Sequence, residues 1–140
     1  MAPTKPLSPP TYNKYLDGLT AAKLSEMVDR AVANLTARGA KPPLHSRLHQ
    51  ARATILAHHA SKALSRPGSR VRRLYAEAHR VAIEFYVLST ALNPLRRVPP
   101  KLHQKLQRAY GGRLDPAATD DASERARDMQ FELYVGAWLR

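Results

Sequence analysis

The side chains in this chain that are best suited to chemistry are arginines and lysines, and they are concentrated in the middle of the sequence. Residues 41–110 hold fourteen basic and two acidic residues, net +12, whereas residues 1–40 are net +2 and residues 111–140 are net −2. The whole formal charge of +12 therefore belongs to the middle segment. A concentrated positive field attracts a polyanion such as nucleic acid, an anionic membrane or an acidic protein. A solvated Arg-rich surface with no partner is the alternative.

Two groups of these cations are the candidate binding residues. The first basic cluster comprises Arg66, Arg70, Arg72 and Arg73. The second basic cluster comprises Arg96, Arg97, Lys101, Lys105 and Arg108. Phosphate contacts need only such charges and backbone donors, whereas base readout needs a recognition helix, for which the chain has no clear helix-turn-helix pattern. We therefore expect nucleic-acid binding that is largely sequence-independent and salt-sensitive. The expected contacts are Arg66, Arg70, Arg72, Arg73, Arg96, Arg97, Lys101 and Lys105.

The remaining polar residues lack the arrangement that catalysis or metal binding needs. His45 and His49 are four residues apart and share a helix face, but no third ligand follows at suitable spacing. Glu77 and Glu84 also share a face, and pairing with the arginine four residues before each explains them more simply than acid–base chemistry. The serines have no organised base, and there is no Gly-rich phosphate loop. We therefore expect a binding protein rather than an enzyme, with no catalytic residue, metal or cofactor.

Bulk properties favour one domain in a reducing compartment. A length of 140 residues fits a single core, and the first ten residues lack the apolar region of a secretory signal. No apolar run approaches the ~18 residues that cross a membrane. The absence of cysteine excludes disulfides and fits the cytoplasm. We expect a Pro-rich flexible tail over residues 1–16 and a single helical domain over residues 17–140, and we favour a chain that continues beyond residue 140.

The element that must position the cations is a long helix, predicted over residues 70–92. Its apolar residues recur at three- and four-residue spacing, at Val71, Leu74, Tyr75, Ala78, Val81, Ala82, Phe85 and Leu88. From Val81 onward it is apolar on all sides, which is typical of a helix buried by several neighbours. We predict an all-α bundle of about five helices around it, with the two basic clusters at its opposite ends as one stripe or two patches.

Two helices are predicted before this central one. The first runs over residues 21–37, with Thr20 or Asp17 as its cap and Gly39 as its left-handed stop. The second runs over residues 44–64. One face of it carries Leu44, Leu48, Ala51 and Ile55, and Leu56, Ala60 and Ala63 widen that face.

Two more helices are predicted after it. The fourth starts at Pro99 and Pro100, stops at Gly111 and carries Leu102, Leu106, Ala109 and Tyr110 inward. The last begins after Thr119 or Asp120, with an inward stripe of Ala122, Ala126, Met129, Leu133 and Ala137. Its second apolar face consists of Phe131, Tyr134, Val135 and Trp138. That face supports a rival hypothesis, in which the chain is a protein-interaction or oligomerisation module.

The segment RDMQFELYVGAWL, residues 127–139, resembles a helix found in bacterial proteins that carry a restriction-endonuclease-like domain. In those proteins an RDxxFELxxAxxL-type helix opens the nuclease-like fold and a helical region precedes it. The resemblance would match Glu132 to the glutamate of that opening helix. The PD-(D/E)xK strand residues that hold a metal in the family are absent from this chain. The resemblance therefore implies an accessory helical region of a nuclease whose active site lies outside these 140 residues.

Overall fold

The computed structural model describes residues 20–138, without the side chain of Trp138. This part of the chain folds as an all-α bundle and contains no strand. Its α-helices are α1 (Ala21–Ala37), α2 (Arg47–His58), α3 (Arg70–Ala91), α4 (Pro100–Tyr110) and α5 (Asp121–Trp138), and a short 3-10 helix (Lys62–Ser65) precedes α3. The predicted tail over residues 1–16 lies outside the described residues.

Helix α3 is the centre of the bundle, as its apolar pattern predicts. It packs against α1, α2 and α5, and the 3-10 helix lies beside it. Ser69 caps its start, because the Ser69 hydroxyl accepts a hydrogen bond from the Arg72 N–H at 3.1 Å. Ile83 is buried although it lies on the side of α3 away from Phe85 and Leu88, so the later part of the helix is enclosed on several sides. The first turn of α3, by contrast, is exposed.

The end of α1 is fixed against the end of α3. Thr20 caps α1 by accepting from the Lys23 N–H, and Gly39 ends it with a φ of +82°, which favours glycine. The Arg38 guanidinium donates to the backbone carbonyls of Leu92 and Asn93 at 2.9 and 3.0 Å. A cation at two helix C-termini offsets their negative dipole ends. The C-termini of the two helices are therefore held together.

Helix α2 is shorter than the sequence predicts. The Ser46 hydroxyl accepts from the His49 N–H, so the helix starts at Arg47 and Leu44 lies before its cap, 83% exposed. The chain leaves the helix after His58, turns, and re-enters a 3-10 helix at Lys62. The prediction over residues 44–64 was therefore wrong at both ends. Leu48, Ala51 and Ile55 are buried as predicted, whereas Leu44, Leu56 and Ala60 are exposed.

Helix α4 and the turn after it are anchored by one tyrosine and one glycine. The Tyr110 hydroxyl donates to the Ala40 carbonyl at 2.6 Å, and its ring stacks on Phe85 with centroids 5.8 Å apart. Burial raises the pKa of Tyr110 above its ordinary value. Gly112 has a φ of +77°, and a Cβ there would stand 2.5 Å from the Cα of Ser123. Glycine is required at this close approach because any side chain would collide with the start of α5.

The predicted inward stripe of α5 is confirmed except at Ala122, and Ser123 and Gln130 join it. Asp120 caps the helix through the Ser123 N–H at 3.1 Å, as expected. The buried residues are Ser123, Ala126, Gln130 and Leu133, with Met129 and Ala137 half-buried. Ala122, which we predicted to face inward, is exposed. The polar Ser123 and Gln130 take interior positions because their side chains have hydrogen-bond partners there.

Candidate nucleic-acid interface

Both carboxylates of the basic segment, residues 41–110, are buried. Glu77 is 9% exposed and Glu84 is 5% exposed. Among the fourteen cations of residues 41–110, Arg47 is also fully buried, and the other thirteen are exposed or partly exposed. The surface formed by this segment therefore presents thirteen cations and no exposed carboxylate. Its surface is more one-sided in charge than the sequence count alone indicates.

The eight residues predicted to contact nucleic acid are all exposed, and so is Arg108. Two of the eight lie within 4 Å of a carboxylate. Arg70 Nη2 is 3.3 Å from Asp115 Oδ2, and Lys105 Nζ is 3.8 Å from Glu132 Oε2. The other six have no ion-pair partner among residues 20–138, namely Arg66, Arg72, Arg73, Arg96, Arg97 and Lys101. Exposed cations without a carboxylate partner are available to phosphates.

The first basic cluster surrounds the N-terminal end of α3. Arg70 and Arg73 line an open cleft of about 480 Å³, whose opposite wall is formed by Asp115, Pro116 and Ala117. The positive end of the α3 dipole lies at this site and favours an anion. A hydrogen bond from the Ala117 N–H, with a further contribution from Arg70, holds the pKa of Asp115 below its ordinary value. Asp115 is therefore ionised at neutral pH and competes with any phosphate for Arg70.

The second basic cluster covers the outer face of α4 and the loop before it. Lys101, Lys105 and Arg108 are spaced four and three residues apart and therefore share one helix face. Arg96 and Arg97 line an open cleft of about 750 Å³ beside the ends of α1 and α3. The loop that carries these arginines is tied to α1 by a hydrogen bond from the Val98 N–H to the Arg38 carbonyl.

The length of α3 separates the first cluster from the loop that opens the second. Helix α3 contains 22 residues, which at 1.5 Å per residue span ~33 Å. The first cluster lies at one end of α3 and Arg96 follows the other end. A ligand that contacts both Arg70 and Arg96 must therefore be extended, as a nucleic acid is.

A buried network of charged and polar groups lies beneath this surface. The fully buried Arg47 donates through Nη1 to Gln130 Oε1, and Gln130 Nε2 donates to Glu84 Oε1 at 3.0 Å. Arg47 Nη2 lies 4.0 Å from Glu77 Oε1, and neither Nη2 nor Nε has a hydrogen-bond partner among the described residues. The network joins α2, α3 and α5 at one point.

The network shifts the ionisation of its members through burial. Desolvation lowers the pKa of Arg47 to about 10, against the opposing effect of Glu77, so the guanidinium stays charged at neutral pH. Desolvation also raises the pKa of Glu84, although the Gln130 hydrogen bond and Arg80 oppose the shift.

Of the two predicted ion pairs of these glutamates, the one between Arg80 and Glu84 is confirmed and the one between Arg73 and Glu77 is not. Arg80 Nε lies 4.0 Å from Glu84 Oε2, as expected for a four-residue spacing. Glu77, however, accepts hydrogen bonds from Arg80 rather than from Arg73, which lies on the exposed side of the first turn. The sequence pattern missed the buried roles of Arg47 and Gln130.

The other predicted site residues lie on or beside α5 and α2, outside the two basic clusters. Phe131 is 58% exposed, whereas Tyr134 and Val135 are half-buried, and the side chain of Trp138 lies outside the described part. His45 is exposed and His49 is half-buried. Within residues 20–138 no three His, Asp or Glu side chains are grouped so as to hold a metal ion. None of the described helices has the length and apolar character that crossing a bilayer requires.

Comparisons with known proteins gave no relative. No protein-family model matches the chain, and neither curated proteins nor solved structures gave a significant match. The resemblance of residues 127–139 to restriction-endonuclease-like proteins therefore stays a prediction.

Proposed function

We propose that this chain is a non-catalytic helical domain that binds nucleic acid through its phosphates. The observation that carries the proposal is the surface of residues 41–110, where thirteen cations are exposed or partly exposed and both carboxylates are buried. A surface dominated by positive charge raises the local concentration of a polyanion and supplies contacts that release counterions. The proposed contacts are Arg66, Arg70, Arg72, Arg73, Arg96, Arg97, Lys101 and Lys105.

The way the charges are held supports binding over a purely structural role. Cations that serve stability in this molecule are engaged, as Arg38 is with two carbonyls and Arg52 is with Asp29 at 2.8 Å. Six of the eight proposed contacts have no carboxylate partner among the described residues. Like charges placed together without partners repel one another and therefore favour an external anion.

Fluorescence anisotropy with labelled duplex and single-stranded DNA and RNA tests the proposal. We expect micromolar or tighter binding at ~50 mM salt that weakens steeply as salt is added. A matched control is the Arg52→Gln variant, because Arg52 is already paired with Asp29 and lies outside both clusters. Absence of binding to all four nucleic acids at ~50 mM salt would contradict the proposal.

A second candidate function, protein interaction through α5, is favoured by Phe131. A phenylalanine that is 58% exposed, with Tyr134 and Val135 half-buried beside it along the helix, is typical of a contact surface. Light scattering during size-exclusion chromatography tests self-association. A molecular mass that rises with protein concentration, and no longer rises in the Phe131→Ser variant, would support this function. A monomer at all concentrations would contradict self-association.

A further inference from the structure

Helix α4 has a strongly polar outer face and a buried inner face. Leu106, Ala109 and Tyr110 face the core. Six of its eleven residues are exposed, namely Pro100, Lys101, Gln104, Lys105, Gln107 and Arg108. The helix contains no carboxylate at all. Its outer face therefore offers only cations and amides to a ligand.

The spacing of these side chains forms a single short stripe. Lys101, Lys105 and Arg108 recur at four and three residues and span ~10 Å along the helix axis at 1.5 Å per residue. Gln104 lies beside this stripe. Amide side chains next to cations are the groups that contact base edges, because glutamine pairs with adenine and lysine or arginine with guanine.

Both ends of α4 are flanked by exposed arginines. Arg96 and Arg97 precede its first residue, and Arg113 follows its last turn. Arg113 is paired with Asp120 at 3.2 Å but remains mostly exposed. Helix α4 packs mainly on α5, and α3 is not a main neighbour. The helix is thus an outer element whose exposed face and flanks are both basic.

We propose that α4 enters the major groove of duplex DNA, an inference that rests on the proposed nucleic-acid binding. The major groove is ~12 Å wide and admits an α-helix, and arginines at the two ends of such a helix reach the phosphates on either side. The side chains directed into the groove are Lys101, Gln104, Lys105 and Arg108. Lys101 and Lys105 contact the phosphates at the rim of the groove, and Gln104 and Arg108 reach the base edges. Arg96 and Arg97 contact the phosphates.

The other nucleic acids fit this surface less well. Single strands are bound by stacking of bases on exposed aromatic rings, and Phe131 is the one exposed aromatic side chain that the described residues provide. Duplex RNA has a deep, narrow major groove that side chains do not read. Duplex DNA is therefore the ligand class that α4 matches.

The test compares duplex DNA and duplex RNA of the same 16-base-pair sequence by anisotropy. The α4 variant is Lys101→Gln, Lys105→Gln and Arg108→Gln together. Its matched control is Arg66→Gln, Arg72→Gln and Arg73→Gln, which removes the same charge from the first basic cluster. Circular dichroism establishes that both variants are folded.

We expect the unmodified protein to bind the DNA duplex at least tenfold more tightly than the RNA duplex. The α4 variant should lose this preference, while the control variant weakens both complexes by the same factor. Guanine N7 atoms should also be protected from dimethyl sulfate by the unmodified protein. Equal affinity for the two duplexes, or an unchanged preference in the α4 variant, would overturn the inference. Failure to bind either duplex would also overturn the inference, and the proposed function would fall with it only if both single strands failed to bind at ~50 mM salt as well.

Discussion

The interior and the surface of this molecule hold their charges in opposite ways. Inside, Arg47 donates to Gln130 and lies 4.0 Å from Glu77. Gln130 in turn donates to Glu84, so that opposite charges and amides face one another. Outside, residues 41–110 present cations without an exposed carboxylate. Buried charges must be paired because desolvation is costly, whereas solvated charges can remain unpaired and attract a partner.

This difference separates stability from binding. A substitution in the buried network should change the free energy of unfolding and leave the basic surface intact. A substitution in a basic cluster should change nucleic-acid affinity and leave the free energy of unfolding nearly unchanged, because exposed side chains contribute little to it.

Removing the buried guanidinium should have the largest effect. Arg47→Met removes the one fully buried cation of the network and leaves only the half-buried Arg80 beside the two glutamates. Breaking a buried pair costs about 3–5 kcal/mol. Urea unfolding measures this loss. The matched control is Arg52→Met on the same helix, whose exposed pair with Asp29 contributes at most about 1 kcal/mol. Equal losses in the two variants would show that the network does not stabilise the fold.

Neutralising the first basic cluster should change binding alone. The variant Arg66→Gln, Arg72→Gln and Arg73→Gln removes three phosphate contacts and should reduce the slope of log Kobs against log salt by about 2.7, at ~0.9 per contact. The free energy of unfolding should stay within about 0.5 kcal/mol of the original value because all three side chains are exposed. A variant whose free energy of unfolding changes while its nucleic-acid affinity does not would contradict the separation of surface and interior roles.

The pH dependence of stability should report the buried Glu84. Burial raises the pKa of Glu84 above the ordinary value of 4.5, so the folded state binds this proton more tightly than the unfolded state does. The contribution of Glu84 to stability is therefore complete below pH 4.5 and falls as the pH rises through the folded pKa. Glu84→Gln removes that fall. The free energy of unfolding of this variant, relative to that of the original protein, should therefore rise with pH above 4.5. Urea unfolding at several pH values measures it. A difference between the two proteins that stays constant with pH would contradict the prediction.

Removing the carboxylate that opposes Arg70 should give the smallest effect. Asp115→Asn breaks an exposed pair at 3.3 Å, and such pairs are worth at most about 1 kcal/mol. Nucleic-acid affinity should rise by up to about fivefold, because Arg70 becomes free to contact phosphate. Anisotropy at low salt measures the change. Asp128→Asn on exposed α5 is the control for a general loss of negative charge.

Local signals in the sequence were sufficient to predict most helix ends. Thr20, Ser69 and Asp120 satisfy free N–H groups at helix starts, and Gly39 and Gly111 mark helix ends, so the bounds follow from short-range chemistry. The second helix was predicted too long because its Ala-rich stripe continues through a turn. Apolar spacing alone does not reveal where such a stripe leaves the helix.

The exposed basic clusters were also predictable, whereas the buried network was not. Exposure is the ordinary state of arginine, so the eight proposed contacts follow from composition and position. Arg47 and Gln130 are buried instead, because each has hydrogen-bond partners on other helices that the sequence does not reveal. A signal was nevertheless present, since Arg47 precedes Ala51 and Ile55 at four-residue spacing and Gln130 lies four residues after Ala126. Polar residues on an apolar helix row indicate a buried network, but not its members.

The most direct test of nucleic-acid binding is the salt dependence of duplex DNA binding by the unmodified protein. Anisotropy titrations between about 50 and 200 mM salt measure the observed binding constant, Kobs, and give the slope of log Kobs against log salt. If at least four of the eight proposed cations contact phosphates, the slope should be about −3.6 or steeper. A slope near zero, or no binding at ~50 mM salt, would contradict the claim that the basic surface binds duplex DNA through its phosphates.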